Sequence, residues 1–479
     1  MGPTKSASPH NNLTSSQFTS HNPHWVTLFT MARFFLLLIA LFLCQHLNAQ
    51  DRAELLKKYT SPVKSIAIAD TNDADLQTLA AAIGNNRIVM LGEMDNGDGE
   101  TFRAKARIVR YLHQKMGFNV LAFESDFYST NMLWDKHQRG DSALLAVWDV
   151  WRETEEFQDM SQYITQQSKG KNPLAITGFD CQVFYKPGAL NFMYRAESLL
   201  EALGYDKPTA QNYIHTLMKA NDYDSTKRMP DSAIHFLYRN TERAMAGLKA
   251  RPDLDPSGMW SQSFSSMMGN ASNCWLNRKV PVGYNFLKIV MDGTMHEKQM
   301  ASNLHWLATR KYKDQKIIVW STNQHITKNN DLLQVEISNY RKKNNTTMGH
   351  EIYSLMKDDV FILGFTSADG TSGSPYQRNG QPFKIAPMSR HDWYTGALSS
   401  ANLNYAFTNF KAIRSYPAAG KEFTMRGWGY EYDMIGQWFN VFDGMFFIKT
   451  NRAATPTGEY YYEEEEEEEE PAPTKPKKK

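Results

Sequence analysis

The chain has 479 residues, 42% of them hydrophobic, enough to bury a large core in more than one structural unit and too apolar for a disordered chain. Its 53 basic and 51 acidic residues leave a formal charge of +2, without the basic surplus that nucleic-acid binding requires, so a small-molecule substrate is the expected partner. No repeat of 20 to 50 residues is visible, which argues against solenoids and propellers.

Residues 1–30 form a polar leader ahead of Met31, and the true start is expected at that methionine. "MARFFLLLIALFLCQHLNAQ", residues 31–50, then has the layout of a secretory signal: Arg33, an apolar stretch from Phe34 to Leu43, and Ala49 before a cleavage point. The stretch is too short to span a bilayer comfortably, so the expectation is export to the periplasm or beyond, with no stable membrane span. Leu43 before Cys44 is not the small residue that a lipoprotein signal prefers. Cleavage would leave Cys181 and Cys274, which allow one disulfide that a chain of this size does not need and whose spacing excludes a zinc knuckle.

Four apolar runs follow, each ending in a polar residue capable of chemistry: "RIVMLGE" in Glu93, "FNVLAFE" in Glu124, "PLAITGFD" in Asp180 and "KIIVWSTNQH" in His325. Helical patterns separate them, which predicts parallel strands joined by crossovers, and ligands of such sheets bind beyond the carboxyl ends of the strands. The turn after Glu93 half-matches a phosphate-binding loop, but Asp98 and Gly99 stand where Lys and Ser/Thr belong, and its acids repel phosphate. The helix after it places Phe102, Ala106, Val109, Leu112 and Met116 on one arc, with Asp98 or Thr101 at its start and Gly117 as its stop. Arg103, Arg107 and Arg110 fall on the opposite, solvated side. Lys105 lies inside the apolar arc and needs a partner, with Glu93 and Glu124 in reach.

The expected fold class is α/β: a mostly parallel sheet core flanked by helices, with a helical insertion domain and a smaller C-terminal α+β portion. Residues 51–195 form the first half of the core, 196–310 a helical lid punctuated by Pro208, Pro230, Pro252 and Pro256, 311–455 the second half, and 456–479 a disordered charged tail. Stripes such as Trp148, Trp151, Met267 and Met268 are expected in the core.

Glu93 and Glu124 at neighbouring strand ends can activate a water when an apolar floor raises one carboxyl pKa and Lys105 keeps the other ionised. A neutral His325 can serve as base, acid or orienting donor. Asp180 either fixes a loop, orients His325 or touches substrate. A metal site built from Glu, Asp and His is the competing chemistry, but no i, i+4 histidine pair or cysteine pair appears, so neither metal nor cofactor is expected. A serine nucleophile lacks its G-x-S-x-G elbow, since "TSGSP" at 371–375 is an ordinary polar turn.

"LGEMDNGDGETFRAKARIVRYLHQKMGFNVLAFES" resembles the signature of the erythromycin esterase family, a strand ending in L-G-E, a T-H-G-like turn, a helix with a basic residue and a second strand ending in Glu. "GFDCQ", "VWSTNQH" and "TTMGHEI" are similar to the family's later segments in the same order, from about residue 53 to 450. The resemblance implies a metal-independent hydrolase that opens a macrolide lactone with activated water, on an α/β core beneath a helical domain. It implies catalytic roles for Glu93, Lys105, Glu124 and His325. Two positions depart from the pattern: Asn96 replaces the base histidine of the turn, and Thr322 the first histidine of the H-N-x-H segment. An amide cannot accept a proton at neutral pH, so Asn96 is expected to bind substrate, with Thr322 and Asp180, while Glu93, Glu124 and His325 take over the base's work. The alternatives left open are a catalytically silent ligand-binding protein and a metal-dependent hydrolase.

Overall fold

Each of the four apolar runs folds as a buried strand. The computed structural model describes residues 52–278, 294–335, 346–373, 382–388, 391–430 and 433–458. The chain forms two units, Met1–Glu54 and Leu55–Lys479, and only residues 52–54 of the first, which are helical, are described. The leader, the signal segment 31–50 and residues 459–479 of the tail lie outside the described residues.

The strands of the second unit are β1 (Thr60–Val63), β2 (Ile88–Leu91), β3 (Phe118–Asp126), β4 (Ala175–Asp180), β5 (Lys316–Trp320), β6 (Leu333–Val335), β7 (Val360–Ser372), β8 (Phe383–Lys384), β9 (Tyr405–Thr408), β10 (Phe423–Met425), β11 (Met434–Gly436) and β12 (Gly444–Asn451). The main sheet runs β1-β9-β12-β7-β2-β5-β3-β4, with β8 beside β7. It is parallel from β12 to β4, and β9 and β1 close one edge antiparallel. β2 and most of β5 are buried on both faces, which is why they read as unbroken apolar runs rather than alternating ones. The C-terminal strands β9 and β12 extend the same sheet, while β10, β11 and β6 form a small antiparallel sheet of their own.

Helix α1 (Gly99–Met116) buries Phe102, Ala106, Val109 and Leu112 against the core, and Gly117 ends it in the left-handed conformation at φ 74°. The opposite face is not solvated as its charges suggest. Arg107 is buried, donating to both oxygens of Asp75 at 2.8 and 3.0 Å and to the carbonyls of Ser65 and Asn72, and Arg110 pairs with Asp73. Residues 65–76 fold across this face and supply the counter-charges, leaving only Arg103 substantially exposed. Nor does the Asp98 side chain cap the helix. It accepts hydrogen bonds from Ser372, Tyr430 and Asn451, and burial lifts its pKa well above the usual carboxyl range.

The helical insertion starts at Lys186, ten residues earlier than the sequence suggested, with Pro187 in the first turn of α2 (Lys186–Ala202). It continues through α3 (Lys207–Ala220), α4 (Ser232–Ala250) and α5 (Met259–Asn277) around a second core that includes Tyr213, Leu217, Leu237 and Phe264, and ends in α6 (Thr294–Trp306), which buries Met300, Ala301 and Leu304 in the core of the sheet. Met267 and Met268 belong to the second core and Trp151 to that of the sheet. The tail begins later than residue 456: Pro456 bridges to Thr154, and the Thr457 amide donates to the Glu153 carbonyl at 3.0 Å. Among the described residues no helix is long and apolar enough to cross a membrane.

Candidate active site

The strand order sets β2, β5, β3 and β4 side by side, so Glu93, His325, Glu124 and Asp180 arise at the carboxyl ends of four consecutive parallel strands. The turn after β5 is pinned on both sides. The Asn323 amide donates to the Glu93 carbonyl at 2.8 Å, and its side chain exchanges hydrogen bonds with the Phe365 backbone of β7 at 2.6 and 3.1 Å. This holds the short helix Asn323–Ile326 against β2 and carries His325 over the strand edge.

Glu93 is fully buried, as is its partner Lys105, which reaches back one turn as its place in the apolar arc required. Lys105 Nζ donates to Glu93 Oε2 at 2.7 Å and to the Ser321 carbonyl at 3.1 Å, while Trp151 Nε1 donates to Glu93 Oε1 at 2.8 Å. The ammonium also lies 4.2 Å from the centre of the Trp320 ring, a cation–π contact. Burial pushes the Glu93 pKa up to about 7, against the pull of Lys105, and brings that of Lys105 down to about 8.

Glu124 and His325 meet directly, Oε1 to Nε2 at 3.2 Å. Ser321 Oγ donates to the other Glu124 oxygen, and the Thr322 amide points to the same atom at 3.4 Å. The second imidazole nitrogen, Nδ1, is 2.7 Å from Oε1 of Glu297 on α6, whose Oε2 accepts the Met348 amide at 2.7 Å. Burial disfavours charge on His325, yet Glu124 and Glu297 together raise its pKa to about 10. A carboxylate on each ring nitrogen therefore favours the protonated form over the neutral imidazole expected from the sequence.

A second imidazole pairs with Asp180. Nε2 of His296, also on α6, lies 2.6 Å from Asp180 Oδ1, and its ring packs edge-on against His325 with centroids 5.8 Å apart. Burial opposes both charges, but the pairing holds Asp180 below and His296 well above its ordinary range. His296 and Glu297 escaped the sequence reading, although "HE" at the start of a helix that leads into β5 was a signal available to it.

Asn96 and Thr322, the two departures from the family pattern, share one property. The Asn96 Oδ1 and Thr322 Oγ1 atoms are buried and have no hydrogen-bond partner among the described residues. They lie just past the ends of the neighbouring strands β2 and β5. Buried polar atoms in native folds are nearly always paired, so both side chains keep hydrogen-bonding capacity that the described residues do not use.

Helix α7 (Met348–Met356), in the "TTMGHEI" segment, packs its start directly on the turn after β5. A Cβ on Gly349 would lie 1.9 Å from the Ile326 carbonyl oxygen. Gly349→Ala should therefore displace that carbonyl and lower stability by about 1–3 kcal/mol, read as a shifted urea midpoint with unchanged slope.

Acids and imidazoles gathered at the carboxyl edge of a parallel sheet, joined by a helix of the insertion, define an α/β framework with a charged cluster at its strand ends. The chain belongs to the Erythromycin esterase family, whose sequence model matches residues 113–450. It is 25% identical over 438 residues to the YbfO protein of Bacillus subtilis (strain 168), covering 86% of this chain and 96% of that one. It is 23% identical over 368 residues to the erythromycin esterase type II of Escherichia coli, covering 73% and 85%. A solved structure of an erythromycin esterase mutant, EreC in its open conformation, superposes with a TM-score of 0.61 at 15% identity, covering 82% of this chain and 98% of that one, a likeness of fold.

Proposed function

We propose that the chain is an exported erythromycin esterase-like hydrolase that opens ester or lactone bonds of a small molecule with activated water, Asn96 standing in place of the family's base histidine. One observation carries the reading: the Glu124 carboxylate and the His325 imidazolium, a proton acceptor and a proton donor, lie 3.2 Å apart at adjoining strand ends. Glu124 takes a proton from water as the water oxygen adds to the substrate carbonyl carbon. His325 gives a proton to the departing alkoxide as the C–O bond breaks. The proton on Glu124 then passes to His325 and restores both groups. Glu93, held by Lys105, helps place the water, and Asn96 and Thr322 offer their free oxygens to the substrate, with Asp180 at the far side of the cluster.

A panel of aryl esters, alkyl esters and lactones tests this with the full chain and Glu124→Gln. The substitution should lower kcat/KM by roughly 10²- to 10⁴-fold; equal turnover by both proteins refutes the role. Processing at the segment 31–50, read by N-terminal sequencing of the secreted fraction, tests export.

The saturation of the cluster favours a second reading, a catalytically silent binder. Both oxygens of Glu93 and both nitrogens of His325 are already engaged. Hydrolysis that appears only on Asn96→His supports this reading, and turnover by the parent removes it.

A further inference from the structure

Asp180 ends β4, Cys181 follows it directly, and His296 reaches both from α6. One carboxylate oxygen, the thiol sulfur and one imidazole nitrogen lie within 4.8 Å of one another. The cysteine and the aspartate are nearly inaccessible, each 2% exposed. We propose that Asp180, Cys181 and His296 form a binding site for a thiophilic divalent cation of the zinc class, beside the Glu124–His325 pair.

The donor set supports that class. Sulfur with imidazole nitrogen selects zinc-like ions over magnesium or calcium, which take oxygen ligands. Binding would displace one proton from the His296–Asp180 pair and one from the Cys181 thiol, and the deprotonated set then carries a charge of −2 that a divalent ion cancels. Three protein ligands leave a fourth position open for water or a substrate oxygen. Outer partners exist already: the Gln182 amide donates to Asp180 Oδ1 at 3.2 Å, and the His296 ring rests on His325.

The present contact between His296 and Asp180 is 2.6 Å, whereas two ligands at about 2.0 Å from one tetrahedral ion stand about 3.3 Å apart. A cation therefore replaces the hydrogen bond by spreading the pair through a small side-chain rotation. The sequence alone disfavoured a metal because it lacks a paired ligand motif. The set becomes visible when the fold brings residues 180 and 296 together. The second buried thiol, Cys274 on α5, is near enough to interact electrostatically with Cys181 and serves as the internal control.

The test is a cobalt(II) titration of the metal-free full chain, followed by absorption. One equivalent should bind with a thiolate-to-cobalt charge-transfer band in the near ultraviolet. Cys181→Ser should abolish the band, Cys274→Ser should keep it, and His296→Ala should weaken binding by at least the roughly 10- to 100-fold that loss of an outer-shell partner costs. Circular dichroism of each variant reports folding, and zinc should displace the cobalt stoichiometrically. Absence of the band in folded parent protein, or a band that survives Cys181→Ser, overturns the proposal.

Discussion

Lys105→Met should destabilise the protein by about 3–5 kcal/mol, because it leaves the Glu93 carboxylate fully buried opposite an apolar chain. Urea unfolding at neutral pH measures the loss. The same burial that lowers the Lys105 pKa raises that of Glu93, so each partner is drawn toward its neutral form and desolvation opposes the pair's attraction. The double variant Glu93→Gln, Lys105→Met should therefore recover most of the lost stability, since two neutral groups of similar size fill the space. A double variant as unstable as the single one would show that the 2.7 Å contact matters through packing and not charge. If the double variant is stable yet inactive, the pair is retained for chemistry rather than for folding.

Asp443→Ala should cost a similar amount, about 3–5 kcal/mol, through a different set of contacts. Asp443 accepts from Lys328 Nζ at 2.7 Å, Arg414 Nη2 at 2.8 Å and the Ile362 amide at 3.0 Å. Lys328 is almost wholly buried, and its pKa is lowered to about 8 by that burial. Burial alone would raise the Asp443 pKa, but the two cations hold it below its ordinary 3.8. A depressed carboxyl contributes stability that is present above the unfolded-state value and disappears as pH falls through the folded one. Wild-type stability should therefore decline on acidification below about pH 4, and the variant should lack this part of the decline. Lys328 follows His325 by three residues, so the variant should also loosen the turn that holds the imidazolium, which hydrogen exchange across residues 321–328 can follow.

Much of the site was legible because its parts are local. An apolar run ending in an acid marks a strand and the residue just beyond it, and a lysine on the buried arc of a helix announces an unseen partner, which is Glu93. What could not be read depends on chain segments far apart. Arg107 and Arg110 appear solvated on a helical wheel because the wheel does not show residues 65–76 folding over that face. Asp98 resembles a helix cap by position, yet its partners Ser372, Tyr430 and Asn451 lie more than 270 residues away in the chain. His296 and Glu297 sit in a stretch whose periodicity shows only that it is helical, and their roles come from Asp180 and His325. His325 itself was found, but the two acids that flank it and favour its protonated form come from β3 and α6, far apart in the chain.

The helical insertion leaves the sheet after β4 and returns into β5, and β3 with Glu124 runs between these two strands. Among the described residues of the insertion, its last helix supplies His296 to Asp180 and Glu297 to His325. The ion pairs at these strand ends thus depend on where that helix is anchored. The interior helices of the insertion pack around a core of their own, so they can lengthen, shrink or exchange residues while the anchoring helix preserves the charge pattern. A chain built on this plan can vary its helical insertion without rebuilding the ion pairs at the edge of its sheet.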